Sequence, residues 1–283
     1  YKRQLQIRAA DFAIGERTFG RLTAEALRAP DGLEVTRIAT ESPSFSTEGT
    51  GAWTQLDGGE QRTEFKTTLS SSDLESTLRS LGFASNVEAD SAELSLDVRW
   101  PGSPTADFMA SVSGNVSLRT GAGQFRDIDP GAGRVFGLLS LSALPRRLSL
   151  DFRDVFDKGF GFDLISGDFM LENGNAYTNN FVLEGPAADV GIIGRTGLSS
   201  RDYDQTAVVR ANVGSALPVA GAIAVGPGVG AALLILSEIF KDPLKDMSRI
   251  HYRITGGWEN PDIQRVQPSE LAASGEPEAP LRN

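Results

Sequence analysis

Strict alternation of apolar and polar side chains is the feature that most restricts how this chain can fold. In Glu93-Leu94-Ser95-Leu96-Asp97-Val98-Arg99-Trp100 every second residue is apolar. Successive side chains of a strand point to opposite faces, so such a run is a half-buried antiparallel strand. The pattern recurs with Val112, Gly114, Val116 and Leu118 set against Ser111, Ser113, Asn115, Ser117 and Arg119. It returns at Leu148, Leu150 and Phe152, at Phe160, Phe162 and Leu164, and at Ile250, Tyr252 and Ile254, which read as the last strand. Turn-forming residues separate the runs: Pro30-Asp31-Gly32, Asp57-Gly58-Gly59, Pro101-Gly102 and Asn173-Gly174. Asn-Gly between Phe169-Met170-Leu171 and Tyr177 is the strongest hairpin signal, because a type I′ turn needs positive φ at both central positions. The predicted class is mainly β, with a few short helices.

Three stretches depart from the strand period. Ser72-Asp73-Leu74-Glu75 reads as a capping box with Ser72 at its head, before Leu74, Leu78 and Leu81, and Gly82 ends that helix. Arg134 to Leu144 carries Val135, Leu138, Leu139 and Leu144 and stops at Pro145, which predicts a second helix. Ala211 to Ser237 holds no charged residue, but Gly226-Pro227-Gly228 interrupts it. It reads as two apolar helices, about 217–225 and 229–240, each too short to cross a hydrocarbon core of about 30 Å. Such a hairpin is covered by the sheet, by lipid or by a bilayer. The tail from Gln267 is rich in Ser, Ala, Gly, Glu and Pro and is expected to be disordered.

Composition removes several chemistries. Without Cys there are no disulfides, iron–sulfur clusters or thiolate zinc sites, and with one His there is no two-His metal motif. A net charge of −10 disfavours a nucleic-acid binder, which needs a basic face. His251 alternates with Ile250 and Tyr252 and is expected on the solvent side of its strand. Asp127, Asp129, Asp151, Asp154 and Asp157 lack EF-hand spacing, and turns and caps account for them better than calcium does. Gly131-Ala132-Gly133 could place an anion at a helix N-terminus, but no phosphate-loop or dinucleotide motif accompanies it. An enzyme on a β scaffold, such as a polysaccharide hydrolase, would need paired carboxylates about 5–10 Å apart, and no pair stands out. No catalytic residue, metal or cofactor is assigned.

Several phrases in the second half resemble the C-terminal region of the AsmA-like envelope proteins, most closely the YhdP family. They are Gly133-Arg134-Val135-Phe136-Gly137-Leu138-Leu139-Ser140-Leu141 with Ala143 to Phe152, Asp154 to Asp163, and Leu183-Glu184-Gly185-Pro186-Ala187-Ala188. Further on come Gly194-Arg195-Thr196-Gly197-Leu198, Arg201-Asp202-Tyr203-Asp204-Gln205 and Tyr252-Arg253-Ile254-Thr255-Gly256-Gly257-Trp258-Glu259-Asn260-Pro261. Their order over residues 130–266 carries the resemblance, and residues 1–129 share only its style. The resemblance implies a long curved antiparallel sheet forming a hydrophobic groove, in the periplasmic part of a protein anchored in the inner membrane. Phospholipids would pass along it towards the inner leaflet of the outer membrane. The start at Tyr1 agrees with a segment of a longer chain whose remainder carries the anchor.

On that basis residues 1–266 are expected to form one β-groove domain with an apolar helical hairpin at about 216–240, followed by a disordered tail at 267–283. Leu94, Leu96, Val98, Val112, Val116, Leu118, Phe160 and Phe162 are the expected lipid contacts. Ile223, Val225, Val229, Leu233, Leu234 and Ile235 are the expected membrane contacts, at the distal mouth of the groove. The acidic balance suits a conduit that releases anionic headgroups rather than holding them. The rival expectation is a closed, non-catalytic periplasmic β-sandwich that supports envelope assembly.

Overall fold

The computed structural model describes residues 4–83, 85–126, 160–186, 188–211 and 249–266, with the backbone alone at Phe160 and Ala211. They form β1 (Gln4–Ile14), β2 (Arg17–Ala29), β3 (Gly32–Glu41), β4 (Phe45–Gln55), β5 (Gln61–Ser71), α1 (Leu74–Ser80), β6 (Val87–Ala89), β7 (Ala92–Pro101), β8 (Ser113–Thr120) and β9 (Gly123–Phe125). The second half adds β10 (Phe160–Phe162), β11 (Leu164–Glu172), β12 (Asn175–Glu184), β13 (Ala188–Gly197), β14 (Asp202–Ala211), β15 (Arg249–Gly257) and β16 (Asp262–Val266). Thirteen strands make one antiparallel sheet in the order β1-β2-β3-β4-β5-β7-β8-β11-β12-β13-β14-β15-β16, which is not closed into a barrel. Short β6 and β9 pair outside it.

The chain divides into two compact units, residues 1–126 with 169–175, and residues 127–168 with 176–283. In the first, a single face of β1–β5, β7 and β8 is apolar. Its opposite face carries cross-strand ion pairs between exposed side chains, Arg37–Glu48 at 3.2 Å and Lys66–Asp97 at 3.3 Å. Such pairs contribute little stability and keep that face in water. In the second unit β13 and β14 are buried on both faces, from Val190 and Ile192 on one to Val208 on the other.

Local chemistry sets the breaks between elements. Asn173 (φ 47°) and Gly174 (φ 74°) form the expected two-residue turn between β11 and β12. Gly174 is also needed for space, since a Cβ there would lie 2.5 Å from the Met109 carbonyl oxygen. Asp73, not Ser72, caps α1: its carboxylate accepts from the Ser76 amide at 3.0 Å and from the Ser76 hydroxyl at 2.7 Å. Ser72 instead donates to the Ser44 carbonyl at 3.5 Å. The helix ends as expected at Gly82 (φ 73°), where Phe83 N–H bonds Leu78 O at 2.8 Å and Gly82 N–H bonds Arg79 O at 3.1 Å.

Two strand readings change. The run through Phe160, Phe162 and Leu164 is broken at Asp163, whose amide donates to the Glu184 carbonyl at 2.8 Å, so β10 and β11 are separate. Ile250 to Ile254 is not the last strand, because β16 pairs beside it, with Ile254 opposite Ile263. The predicted helices at 134–144, 217–225 and 229–240, the strand at 148–152 and the tail at 267–283 lie outside the described residues. Among the described residues no helix is long and apolar enough to cross a membrane.

Candidate functional site

Register decides which side chains share a face. Leu94 pairs with Leu118, Leu96 with Val116 and Val98 with Gly114 across β7 and β8. These residues therefore stand on one face of the sheet. Val112, just before β8, is buried at the end of the Pro101–Ser111 connection. The same face continues through β5, where Phe65 pairs with Val98, Thr67 with Leu96 and Leu69 with Leu94. It runs on through Gly49 and Gly51 of β4, opposite Thr67 and Phe65, and through Val35 and Ile38 of β3. Ala24 and Ala26 of β2, then Leu5 and Ile7 of β1, complete it. The polar side chains Ser95, Asp97, Ser117 and Arg119 occupy the other face.

How far this face is covered varies along the strands. At one end α1 and β6 close over it, and Phe45, Thr77, Val87, Ala92 and Phe125 are buried. At the other end of β7, Trp100 is buried and stacks on Phe108 with ring centroids 4.8 Å apart. Between the ends Val116, Leu22 and Ala26 are buried, Phe65, Leu69, Leu94, Leu96, Val98 and Leu118 are half-buried, and Leu5 (51%) and Ile7 (46%) are exposed, as is Trp53 (37%) near the Trp100 end. A contiguous apolar surface left partly open is the candidate binding surface of this chain.

Phe65, Leu69, Val35 and Ile38 were not among the expected contacts. The alternation Thr63, Phe65, Thr67, Leu69 was available as a signal, but threonines at inward positions weaken it. Phe162 is buried at 2% exposure in the second unit. The Phe160 side chain and all six expected membrane contacts, Ile223, Val225, Val229, Leu233, Leu234 and Ile235, lie outside the described residues.

The second unit is fastened by polar pairs inside strands. Arg195 makes two hydrogen bonds to Asp202, at 3.0 and 2.9 Å, which hold the Asp202 carboxyl below its ordinary range. Arg210 is paired with Asp189, and Arg253 with Asp204. Trp258, in the turn after β15, stacks on Tyr203 with centroids 6.2 Å apart and donates to the Asp202 carbonyl at 3.3 Å. Burial pushes the Tyr203 hydroxyl well above its ordinary range. His251 is not on a solvent face: it is 9% exposed, it sits opposite Val208 and Val266, and burial pushes its pKa down to about 4. Among the described residues no three His, Cys, Asp or Glu side chains come together as a metal site. The five aspartates between 127 and 157 lie outside them.

Residues 3–263 match the profile of the family described as YhdP protein. The chain belongs to the YhdP family. It is 29% identical over 262 residues to the protein of Escherichia coli (strain K12) named intermembrane phospholipid transporter YhdP. That alignment covers 92% of this chain and 21% of the relative, so the chain spans about a fifth of the relative's length. No solved structure matches. The phrases Gly194 to Leu198, Arg201 to Gln205 and Tyr252 to Pro261 supply Arg195, Asp202, Tyr203 and Trp258, so the resemblance is carried in part by side chains that tie β13, β14 and the β15–β16 turn together.

Proposed function

We propose that this chain is part of a conduit for phospholipid between the two membranes of a Gram-negative envelope, with acyl chains lying against the apolar face of β1–β5, β7 and β8. The observation that carries the reading is the partial exposure of apolar side chains on that face, from Leu5 and Ile7 of β1 to Leu118 of β8. A wall for acyl chains needs smooth apolar surface with no ordered polar partners, because the hydrophobic attraction is non-directional. Leu94, Leu96, Val98 and Leu118 supply that surface. The name of the Escherichia coli relative supports the cargo. In this reading the chain belongs to the periplasmic part of a longer protein anchored in the inner membrane. It forms the distal end of the path, and the apolar stretch Ala211–Ser237 meets the inner leaflet of the outer membrane.

The reading is tested by lipid mass spectrometry of the purified chain, combined with photo-crosslinking. Crosslinkers at positions 96 and 118 should capture phospholipid, whereas those at 95 and 117 on the opposite face should not. Equal capture at all four positions, or no co-purifying lipid at all, would overturn it.

A further inference from the structure

We propose that Arg17 is an anchor for the phosphate of a phospholipid whose tails lie on the adjacent apolar surface, which deepens the lipid-conduit reading and rests on it. Two bulges build this corner. The register of β1 and β2 shifts between Ala9 and Phe12, and Gly20 takes φ +76°. A Cβ at Gly20 would lie 2.1 Å from the Glu41 carbonyl oxygen, so only glycine allows this approach. The shift brings Phe12 and Phe19 together, with centroids 5.6 Å apart, and sets Phe19 edge-on to buried Phe45 at 6.4 Å. The apolar face thus extends to the end of β2 next to α1.

Ile14 stands directly opposite Arg17 and is 58% exposed. The Arg17 stem runs past Gly82, where a Cβ would meet its Cγ at 3.6 Å, and its guanidinium lies 5.9 Å over the ring of Phe83, itself 43% exposed. Among the described residues Arg17 is in no ion pair, whereas Arg21 on the same strand and Arg79 of α1 are held by Glu41 and Glu75. The corner therefore combines exposed aliphatic and aromatic surface with a guanidinium that no carboxylate occupies. A guanidinium matches the geometry of phosphate oxygens, and stacking on an aromatic ring fixes its orientation without using its N–H donors. Phospholipid has this pairing of parts, a phosphate joined to two acyl chains. A single cation on a chain of net charge −10 holds the headgroup only briefly, as passage requires.

The test measures binding of a short-chain phosphatidylglycerol, of diacylglycerol with the same acyl chains, and of inorganic phosphate to the purified chain. Wild type, Arg17→Gln, Arg17→Met and Arg17→Lys are compared, with folding checked by circular dichroism. Arg17→Met keeps the stem packed on Gly82 and separates loss of charge from loss of packing. Arg17→Gln and Arg17→Met should each weaken phosphatidylglycerol about tenfold and leave diacylglycerol unchanged. Arg17→Lys should recover only part of the affinity, because an ammonium keeps the charge but lacks the planar fork and the stacking on Phe83, and inorganic phosphate should not compete at comparable concentrations. Unchanged phosphatidylglycerol affinity in Arg17→Met overturns the anchor while leaving the conduit intact. Competition by inorganic phosphate makes the corner a free-anion site and also overturns it. Failure of wild type to bind either lipid overturns the conduit, and the anchor with it.

Discussion

Replacing Leu96 by Ala separates a lipid-lined wall from an ordinary core. A fully buried Leu→Ala change costs about 2–5 kcal/mol, part transfer and part cavity. Leu96 is mostly but not fully covered between Thr67 and Val116, so a cost near the lower end of that range, about 2–3 kcal/mol, is expected in the lipid-free chain. The uncovered part of the side chain retains roughly 0.5–1 kcal/mol of transfer free energy. An acyl chain seated there recovers it, so Leu96→Ala should weaken lipid binding about two- to fivefold. Ile192 of β13 is the internal control, at 0% exposure. Ile192→Val should destabilise by about 0.5–1.5 kcal/mol and leave lipid bound per folded molecule unchanged. Urea unfolding followed by circular dichroism gives the stabilities, and titration with a fluorescent phospholipid gives the affinities. A cost of about 4 kcal/mol or more at Leu96, with lipid affinity unchanged, would mean that the face is filled by protein and the reasoning is wrong.

Three further outcomes follow from the geometry. Asp73→Ala should cost about 1 kcal/mol and Ser72→Ala much less, because Asp73 is the cap. Hydrogen bonds from Ser76 lower the Asp73 pKa, so the stability difference between wild type and Asp73→Ala should persist at neutral pH and vanish as pH falls below that lowered value, read from urea midpoints. His251 is neutral when buried with a pKa of about 4, whereas an unfolded chain protonates it near 6.5, so its contribution is full above 6.5 and is lost as pH falls towards 4. His251→Gln should remove that part of the slope, up to about 3 kcal/mol between neutral pH and pH 4. Gly174→Ala should destabilise by more than about 1 kcal/mol, since it meets the Met109 carbonyl as well as positive φ. Gly15→Ala, with φ +62° and open space around its Cβ, should show the conformational cost alone, as comparison of the two melting curves will test.

The architecture was legible because period two is a direct image of the pleat. Alternation placed Leu94, Leu96, Val98, Val116 and Leu118 on one face, and the observed register pairs them there. Asn173-Gly174 was legible because few residues accept its dihedrals. His251 was misread because alternation with Ile250 and Tyr252 assumes a sheet wet on one side, and β14 and β15 are buried on both. Ser72 was misread because two capping residues stand in series, and only the backbone shows that the helix begins at Leu74. The bulges at Gly20 and between Ala9 and Phe12 left no mark in the period, although they place Arg17 beside an aromatic cluster.

What alternation cannot carry is the identity of whatever faces an apolar side chain, since a leucine is equally suited to another leucine, an acyl chain or a subunit. Fractional burial supplies the missing term. A core residue is closed off by neighbours on every side, as Ile192, Ala207 and Ile254 are at 0% exposure. Leu94, Leu96 and Leu118 occupy equally regular ladders and stay half-open. At roughly 25 cal/mol per Å² of apolar surface, leaving these side chains partly open forgoes stabilisation that a single additional layer of side chains would supply. A sheet that forgoes it on one face, while carrying salt bridges on the other, leaves that face available to an occupant. Phospholipid, the cargo proposed above, has the chemistry such an occupant would need.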